Sequence, residues 1–255
     1  MSESSPGKAI FAAELPWTEV LEFAQRKAVA LLPIGSTEAH GPHLPLNVDV
    51  VISVEVCRRT ALRLGARGIP CLIFPPVCYA VTEFAASFAG TVSVSRPAAL
   101  AYLTDVLAGI ASHGFKQIGV ANHHLEPDHF EMVHQAARDA CARTGAAIAV
   151  PDHRKKPIGP RLGEEFIRGG SHAGRYETSL MLAAAPLLVR EQVRSRLADL
   201  PVNLPAAIKA GARNFLDCGG KEAYFGSPAS ATAEEGDRLL ELLAEATEAA
   251  LTVAG

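Results

Sequence analysis

The chain has 255 residues, of which 49% are hydrophobic and 20% charged, and a formal net charge of −3. That much apolar material closes a core and excludes a largely disordered chain. The slightly acidic balance argues against a dedicated nucleic-acid binder and offers no polybasic anchor for anionic lipid.

Residues 1–7 are polar and carry no apolar signal segment. Residues 28–34 (AVALLPI) form a short apolar run that ends at Gly35, which suits a buried strand. After a polar loop, Val50, Val54, Cys57, Ala61 and Leu64 recur at spacings of four and three, one face of a helix. Residues 71–74, with Val77 beyond them, read as a second strand. Pro97 opens another helix, with Leu100, Leu103, Leu107 and Ile110 on one side. Residues 117–121 (QIGVA) are a third strand, followed by a helix over about 126–143 that stops near Gly145. Residues 146–150 make a fourth strand. The Pro-, Gly-, Lys- and Arg-rich residues 151–170 read as a long loop with a solvated charged face. An apolar run follows at 180–185, residues 190–230 show no clear pattern, and residues 231–253 form a C-terminal helix striped by Leu239, Leu242, Leu243 and Ala246. No internal repeat and no stretch of about 18 apolar residues is present, so no membrane span is expected.

Strands alternating with helices of this length imply βαβ units: an α/β fold with a mostly parallel sheet covered on both faces. The length fits one compact domain over residues 1–255. The five cysteines, Cys57, Cys71, Cys78, Cys141 and Cys218, include no C-x-x-C pair and read as inert thiols of a reducing compartment, so the expected location is cytoplasmic.

In parallel sheets the loops beyond the carboxyl ends of the strands carry ligands. Here the loops after the first and third strands are the ones rich in His, Asp and Glu. The first holds Glu38-x-His40, then His43 and Asp49; the third holds His123, His124-x-Glu126 and His129. In an extended loop, residues two apart point the same way. Two such pairs facing each other, with Asp49 at a helix start, would converge on one point. His/carboxylate ligation without thiolate suits Zn²⁺, Mn²⁺ or Fe²⁺. Five candidate ligands (Glu38, His40, Asp49, His124 and Glu126) exceed what one catalytic zinc uses, and a bridging carboxylate would let them serve two ions about 3.5–4 Å apart. Taken singly, each pair has a plain structural reading as a cap or a satisfied core histidine. His123, His129 and His43 read as structural or as contacts around the site, and His113 and His134 as surface residues on helices. The segment from Gly169 to Ser179 sets His172 among small residues that permit close approach of a substrate, or is simply a loop and N-cap before a helix. The Gly90-Thr91 pair reads as a tight turn. No Gly-x-Ser-x-Gly elbow and no glycine-rich phosphate loop is present.

The run from Pro33 to Leu46 (PIGSTEAHGPHLPL), followed by Asp49, resembles the creatininase (creatinine amidohydrolase) family. The Gly90-Thr91 turn and the segment His172-Ala173-Gly174 with Glu177-Thr178-Ser179 extend the resemblance over about residues 14–190. It implies a three-layer αβα sandwich, a site for two divalent metal ions per chain (Zn or Mn, with Fe possible) and a homo-oligomer, usually a hexamer. It further implies hydrolysis of a C–N bond in an amide, cyclic amide or formamide through a metal-activated hydroxide. By resemblance Glu38, His40, Asp49, His124 and Glu126 are the metal ligands, with Asp49 bridging. His172 is the catalytic acid that protonates the leaving nitrogen, and Glu177 is an acidic residue supporting it. The third-strand loop, Asn122-His123-His124-Leu125-Glu126-Pro127, departs from the family pattern: Leu125 replaces an aromatic that lies near creatinine, and Ser171 stands where an acidic residue precedes the catalytic histidine. Trp17 is the only tryptophan, so the tryptophans that close over creatinine have no counterpart. The expected substrate is therefore a small molecule other than creatinine, with neither nucleic acid nor membrane as a partner. A metal-binding pathway protein of the same fold without turnover is the rival reading.

Overall fold

A computed structural model of the chain describes residues 8–253; the polar start at residues 1–7 lies outside them. Four strands pair in parallel: β1 (Val29–Ile34), β2 (Cys71–Ile73), β3 (Gln117–Asn122) and β4 (Ala147–Ala149), in the order β2-β1-β3-β4. Around them lie α1 (Trp17–Gln25), α2 (Val48–Ala66), α3 (Arg96–Ser112), α4 (Pro127–Thr144), α5 (Glu164–Arg168), α6 (Arg175–Ala184), α7 (Glu191–Arg194), α8 (Leu204–Lys209) and α9 (Ala233–Val253).

Strand side chains alternate between faces, and each face has its own core. Val29, Leu31, Cys71, Ile73 and Ala121 pack against the apolar stripes of α2, α6 and α9. Ala30, Leu32, Ile34, Leu72, Ile118 and Val120 pack on the other side against α1, α3 and α4. The result is the three-layer αβα sandwich. β1 is buried on both faces along its whole length, which is why it reads as a continuous apolar run rather than an alternating one. Among the described residues, no helix is long and apolar enough to cross a membrane.

Several boundaries differ from the sequence reading for local reasons. β2 ends at Ile73, and Val77 only bridges to Ile34. The expected loop at 151–170 contains α5. α9 begins two residues late because the Thr232 hydroxyl accepts the N–H of Glu235 and so acts as its cap. α4 does stop at Gly145, which takes the left-handed conformation (φ 71°). His113 is exposed, but His134 is half-buried, with its ring on Phe130 and its Nε2 enclosed.

Gly35 shows how the fold builds its site. It joins β1 to the loop before α2, and a Cβ there would lie 2.5 Å from the Val50 nitrogen and 2.6 Å from the Asp49 carbonyl carbon. Only a residue without a side chain lets the start of α2 press against the end of β1, and this contact seats Asp49 at the sheet edge. Overpacking of this kind costs about 1–3 kcal/mol, so Gly35→Ala is expected to lower the thermal midpoint by roughly 2–12 °C. It should also weaken metal retention. A thermal melt paired with elemental analysis checks this; an unchanged melt and metal content would contradict it.

Candidate metal centre

The sheet reverses its order between β1 and β3: the chain moves outward from β1 to β2 on one side and returns to β3 on the other. In open α/β sheets the crevice beyond such a switch point is where ligands bind. Glu38 and His40 follow β1, Asp49 lies in the first turn of α2, and His124 follows β3. Glu126 occupies the N-cap position of α4. His172 lies just before α6, and Glu177 lies in its first turn.

The structure brings all seven of these side chains together. Asp49 sits between two groups of donors. Its Oδ1 lies 3.4 Å from His40 Nε2, and its Oδ2 lies 3.2 Å from His124 Nδ1. On the first side, Glu177 Oε2 is 3.5 Å from His40 Nε2. On the second, Glu38 Oε1 is 3.3 Å from His124 Nδ1, and Glu126 joins the same cluster. Glu38 Oε1 is also 3.7 Å from His40 Nε2 and 3.8 Å from His172 Nδ1.

The surroundings fix which atoms face inward. His40 Nδ1–H donates to the Glu38 carbonyl at 3.1 Å, leaving Nε2 for the centre. His124 Nε2–H donates to the Val81 carbonyl at 2.9 Å, leaving Nδ1. A carbonyl only accepts, so each ring nitrogen facing it must carry a proton, which is how proteins orient metal-binding imidazoles. The Ser36 hydroxyl donates to Asp49 Oδ2 at 2.6 Å, and the Thr82 hydroxyl donates to Glu38 Oε2. Glu126 accepts the backbone N–H groups of Glu83 and Phe84.

These distances fit metal ions. Two ligand atoms each about 2.1 Å from a tetrahedral ion sit about 3.4 Å apart, and the donor pairs around Asp49 lie at 3.2–3.5 Å. His40 Nε2 is fully buried, faces three carboxylates and makes no hydrogen bond. A buried polar nitrogen left in that way is costly unless a cation takes it.

The electrostatics point the same way. Burial disfavours the His40 imidazolium, yet Asp49, Glu177 and Glu38 outweigh it and hold the group at about 10. His124 is likewise raised, with Glu38 and Asp49 overcoming burial. Burial would raise Glu38, but the neighbouring His124 lowers it to about 2, and His40 and His124 lower Asp49. Burial pushes Glu177 up to about 8 despite His40. Without cations, the neutral-pH centre therefore keeps Glu38 and Asp49 ionised, His40 and His124 protonated and Glu177 neutral. Protons occupy the places that metal ions would take.

The remaining histidines fall into place around this centre. His43 Nε2 bonds the Thr178 hydroxyl at 2.9 Å, and His129 Nε2–H donates to Asn122 Oδ1 at 3.0 Å. His123 lies between the rings of His153 and Tyr176, with Nε2 3.9 Å from Glu177. His172 Nε2–H donates to the Ala39 carbonyl at 3.0 Å, and its ring is held between His40 and Phe215, each 4.3 Å away. Glu177 lies closer to the donors than a supporting residue need be: it shares one cluster with His40 and Asp49. Sequence reasoning missed Thr82, His153 and Phe215. Phe215 belongs to the unpatterned 190–230 stretch, and nothing in its spacing marks it.

A parallel αβα sandwich with clustered His and carboxylate donors at its switch point defines a class of metal-site α/β proteins, and comparison narrows it. The creatininase (creatinine amidohydrolase) family profile matches residues 13–251. A creatinine amidohydrolase from Pseudomonas putida is 31% identical over 193 residues, covering 71% of this chain and 74% of that protein. A mycofactocin precursor peptide peptidase from Mycobacterium ulcerans is 31% identical over 215 residues, covering 82% and 78%. A manganese form of creatininase superposes with a TM-score of 0.77 at 25% identity, covering 96% of this chain and 98% of that one. The chain belongs to the creatininase family. Family and donor cluster together support a metal-dependent hydrolase.

Proposed function

We propose that this chain is a dinuclear metal hydrolase that cleaves an amide C–N bond in a small molecule or short peptide. One observation carries the reading: the two oxygens of Asp49 face two separate donor groups at distances a shared ion would set. In this reading His40, Asp49 and Glu177 hold one ion, and Asp49, Glu38, His124 and Glu126 hold the other. Glu177 thus joins the ligands rather than only supporting His172. Residues 1–255 act as one hydrolase domain. Bound there, Zn²⁺ or Mn²⁺ would lower the pKa of a water and polarise the scissile carbonyl.

The protein's own groups do the rest. The Ser36 and Thr82 hydroxyls fix the two central carboxylates, so their geometry is set before substrate arrives. His172 manages the proton. Its Nε2–H is committed to Ala39, so Nδ1 is the working atom, and burial together with His40 lowers its pKa to about 4. The resting ring is therefore neutral. It collects a proton at Nδ1 as the attacking water loses one, then delivers it from the same atom to the leaving nitrogen. Ring packing against Phe215 holds that atom in place.

Two results test this reading. Chelation is expected to abolish hydrolysis of an amide panel (cyclic amides, formamides and dipeptides), and Zn²⁺ or Mn²⁺ to restore it. Reloading the metal-free protein at pH 7 should also release the protons held by His40, His124 and Glu177, so affinity for the ions falls as pH falls. Calorimetry in buffers of different ionisation enthalpy measures that release. Retained metal with no hydrolysis of any C–N substrate would favour the non-catalytic reading, and pH-independent loading would contradict the ligand set.

A further inference from the structure

A cavity of about 800 Å³ opens above the metal centre. Pockets of roughly 300–1,000 Å³ enclose drug-sized ligands, so this one exceeds the needs of a single small ring. Its composition changes from floor to mouth. The carboxylates that line it are Glu38, Asp49, Glu126 and Glu177, all in the donor cluster. Apolar walls come from Phe84, Leu125, Phe166, Leu204, Ile208 and Phe215. Beyond them stand three cations: Arg154, Lys156 and Lys209.

Arg154 is balanced in place, and the two lysines are not. Arg154 donates Nε and Nη2 to Asp152 at 2.8 and 3.0 Å, and its guanidinium lies 3.6 Å from the centroid of the Phe130 ring. Lock and stack hold the plane still, and its Nη1 meets no acceptor among the described residues. Lys156 and Lys209 are exposed, and among the described residues neither ammonium has a carboxylate partner. They come from separate segments, the loop before α5 and the last turn of α8, and both line the same cavity.

We propose that the cavity selects an amide whose apolar body ends in a carboxylate, with the apolar walls taking the body and Lys156 and Lys209 pairing with the carboxylate at the mouth. Arg154, its charge met by Asp152 and its plane stacked on Phe130, adds a rigid wall beside them. The inference rests on the hydrolase reading for the fate of the bound amide; the binding preference stands on the cavity alone. The carboxylate is the C-terminus of a short peptide or the far end of another acyl compound, and both present the same group to the lysines.

Binding tests this without turnover. The metal-loaded protein is titrated with anilinonaphthalene sulfonate, an apolar anion, which is then displaced by N-acetyl-leucyl-leucine, by its C-terminal amide, or by the monoamide of heptanedioic acid. One dye per chain is expected, and at least one acid should displace it about tenfold better than the neutral amide, as two partly solvated ion pairs would give. Displacement by the peptide acid alone identifies a peptide C-terminus; displacement by the heptanedioic monoamide identifies a more general carboxylate. Lys156→Gln/Lys209→Gln should remove the preference, and Lys116→Gln/Lys221→Gln, an equal charge change at exposed positions outside the cavity lining, should keep it. An amide that competes as well as both acids, a preference that survives in Lys156→Gln/Lys209→Gln, or no saturable dye site would overturn the proposal. Failure of the hydrolase reading shows separately, as absent chelator-sensitive turnover in a protein that still prefers the acid.

Discussion

Asp49→Ala is expected to lose metal and activity together. Its two oxygens face His40 and His124, so in the proposed centre removing the carboxylate would strip one ligand from each ion at once. The loss of several kcal/mol of metal-derived stabilisation corresponds to a fall on the order of 10³-fold in kcat/KM. Removing Asp49 also leaves the buried His40 and His124 rings with one carboxylate fewer, so the variant is expected to melt at a lower temperature, and a circular-dichroism melt recorded beside the assay separates loss of fold from loss of metal. Elemental analysis beside a kinetic assay checks both halves. Full activity in a metal-free Asp49→Ala protein would sink the mechanism.

His172→Ala separates proton transfer from metal binding. The ring holds its Nδ1 3.8 Å from Glu38, and its Nε2–H is tied to Ala39. Loss of a positioned acid–base group costs about 10²–10⁴-fold in rate. The fall should appear in kcat, with metal content close to wild type, because Asp49, Glu38, His40, His124, Glu126 and Glu177 remain in place. A variant that loses its metal would make His172 a ligand, in the grouping it can also form with Glu38 and His40. A variant that keeps full turnover would remove it from the chemistry.

The sheet and the gathering of these side chains at its edge are legible in the sequence for one shared physical reason. A strand buried on both faces is a continuous apolar run, and the chain leaves such a strand in a loop at the sheet edge. The pairs Glu38-x-His40 and His124-x-Glu126 follow β1 and β3, which the structure shows to be neighbours. What the spacing does not show is the place of Glu177. Glu177 approaches His40 and Asp49 because α6 packs against α2 and α9, a long-range contact without a local signature. The walls were less legible still. Phe215 and Phe225 form a small aromatic cluster under His172, yet they lie in a stretch held by turns and backbone bonds, such as Leu200 with Gly226, rather than by periodic elements. His153, buried against His123, stood in a run of charged residues that reads as a solvated loop.

Two ions sharing Asp49 would set the metal content of each chain, which elemental analysis measures. The measurement needs protein prepared without chelator or histidine tag, analysed for Zn, Mn and Fe. Close to two equivalents per chain are expected, lost on dialysis at low pH and regained on return to neutral pH with metal. No bound metal after incubation with Zn²⁺ or Mn²⁺ would contradict this, because His40, Asp49, His124 and the surrounding glutamates would then form a buried ion-paired cluster and not a metal centre.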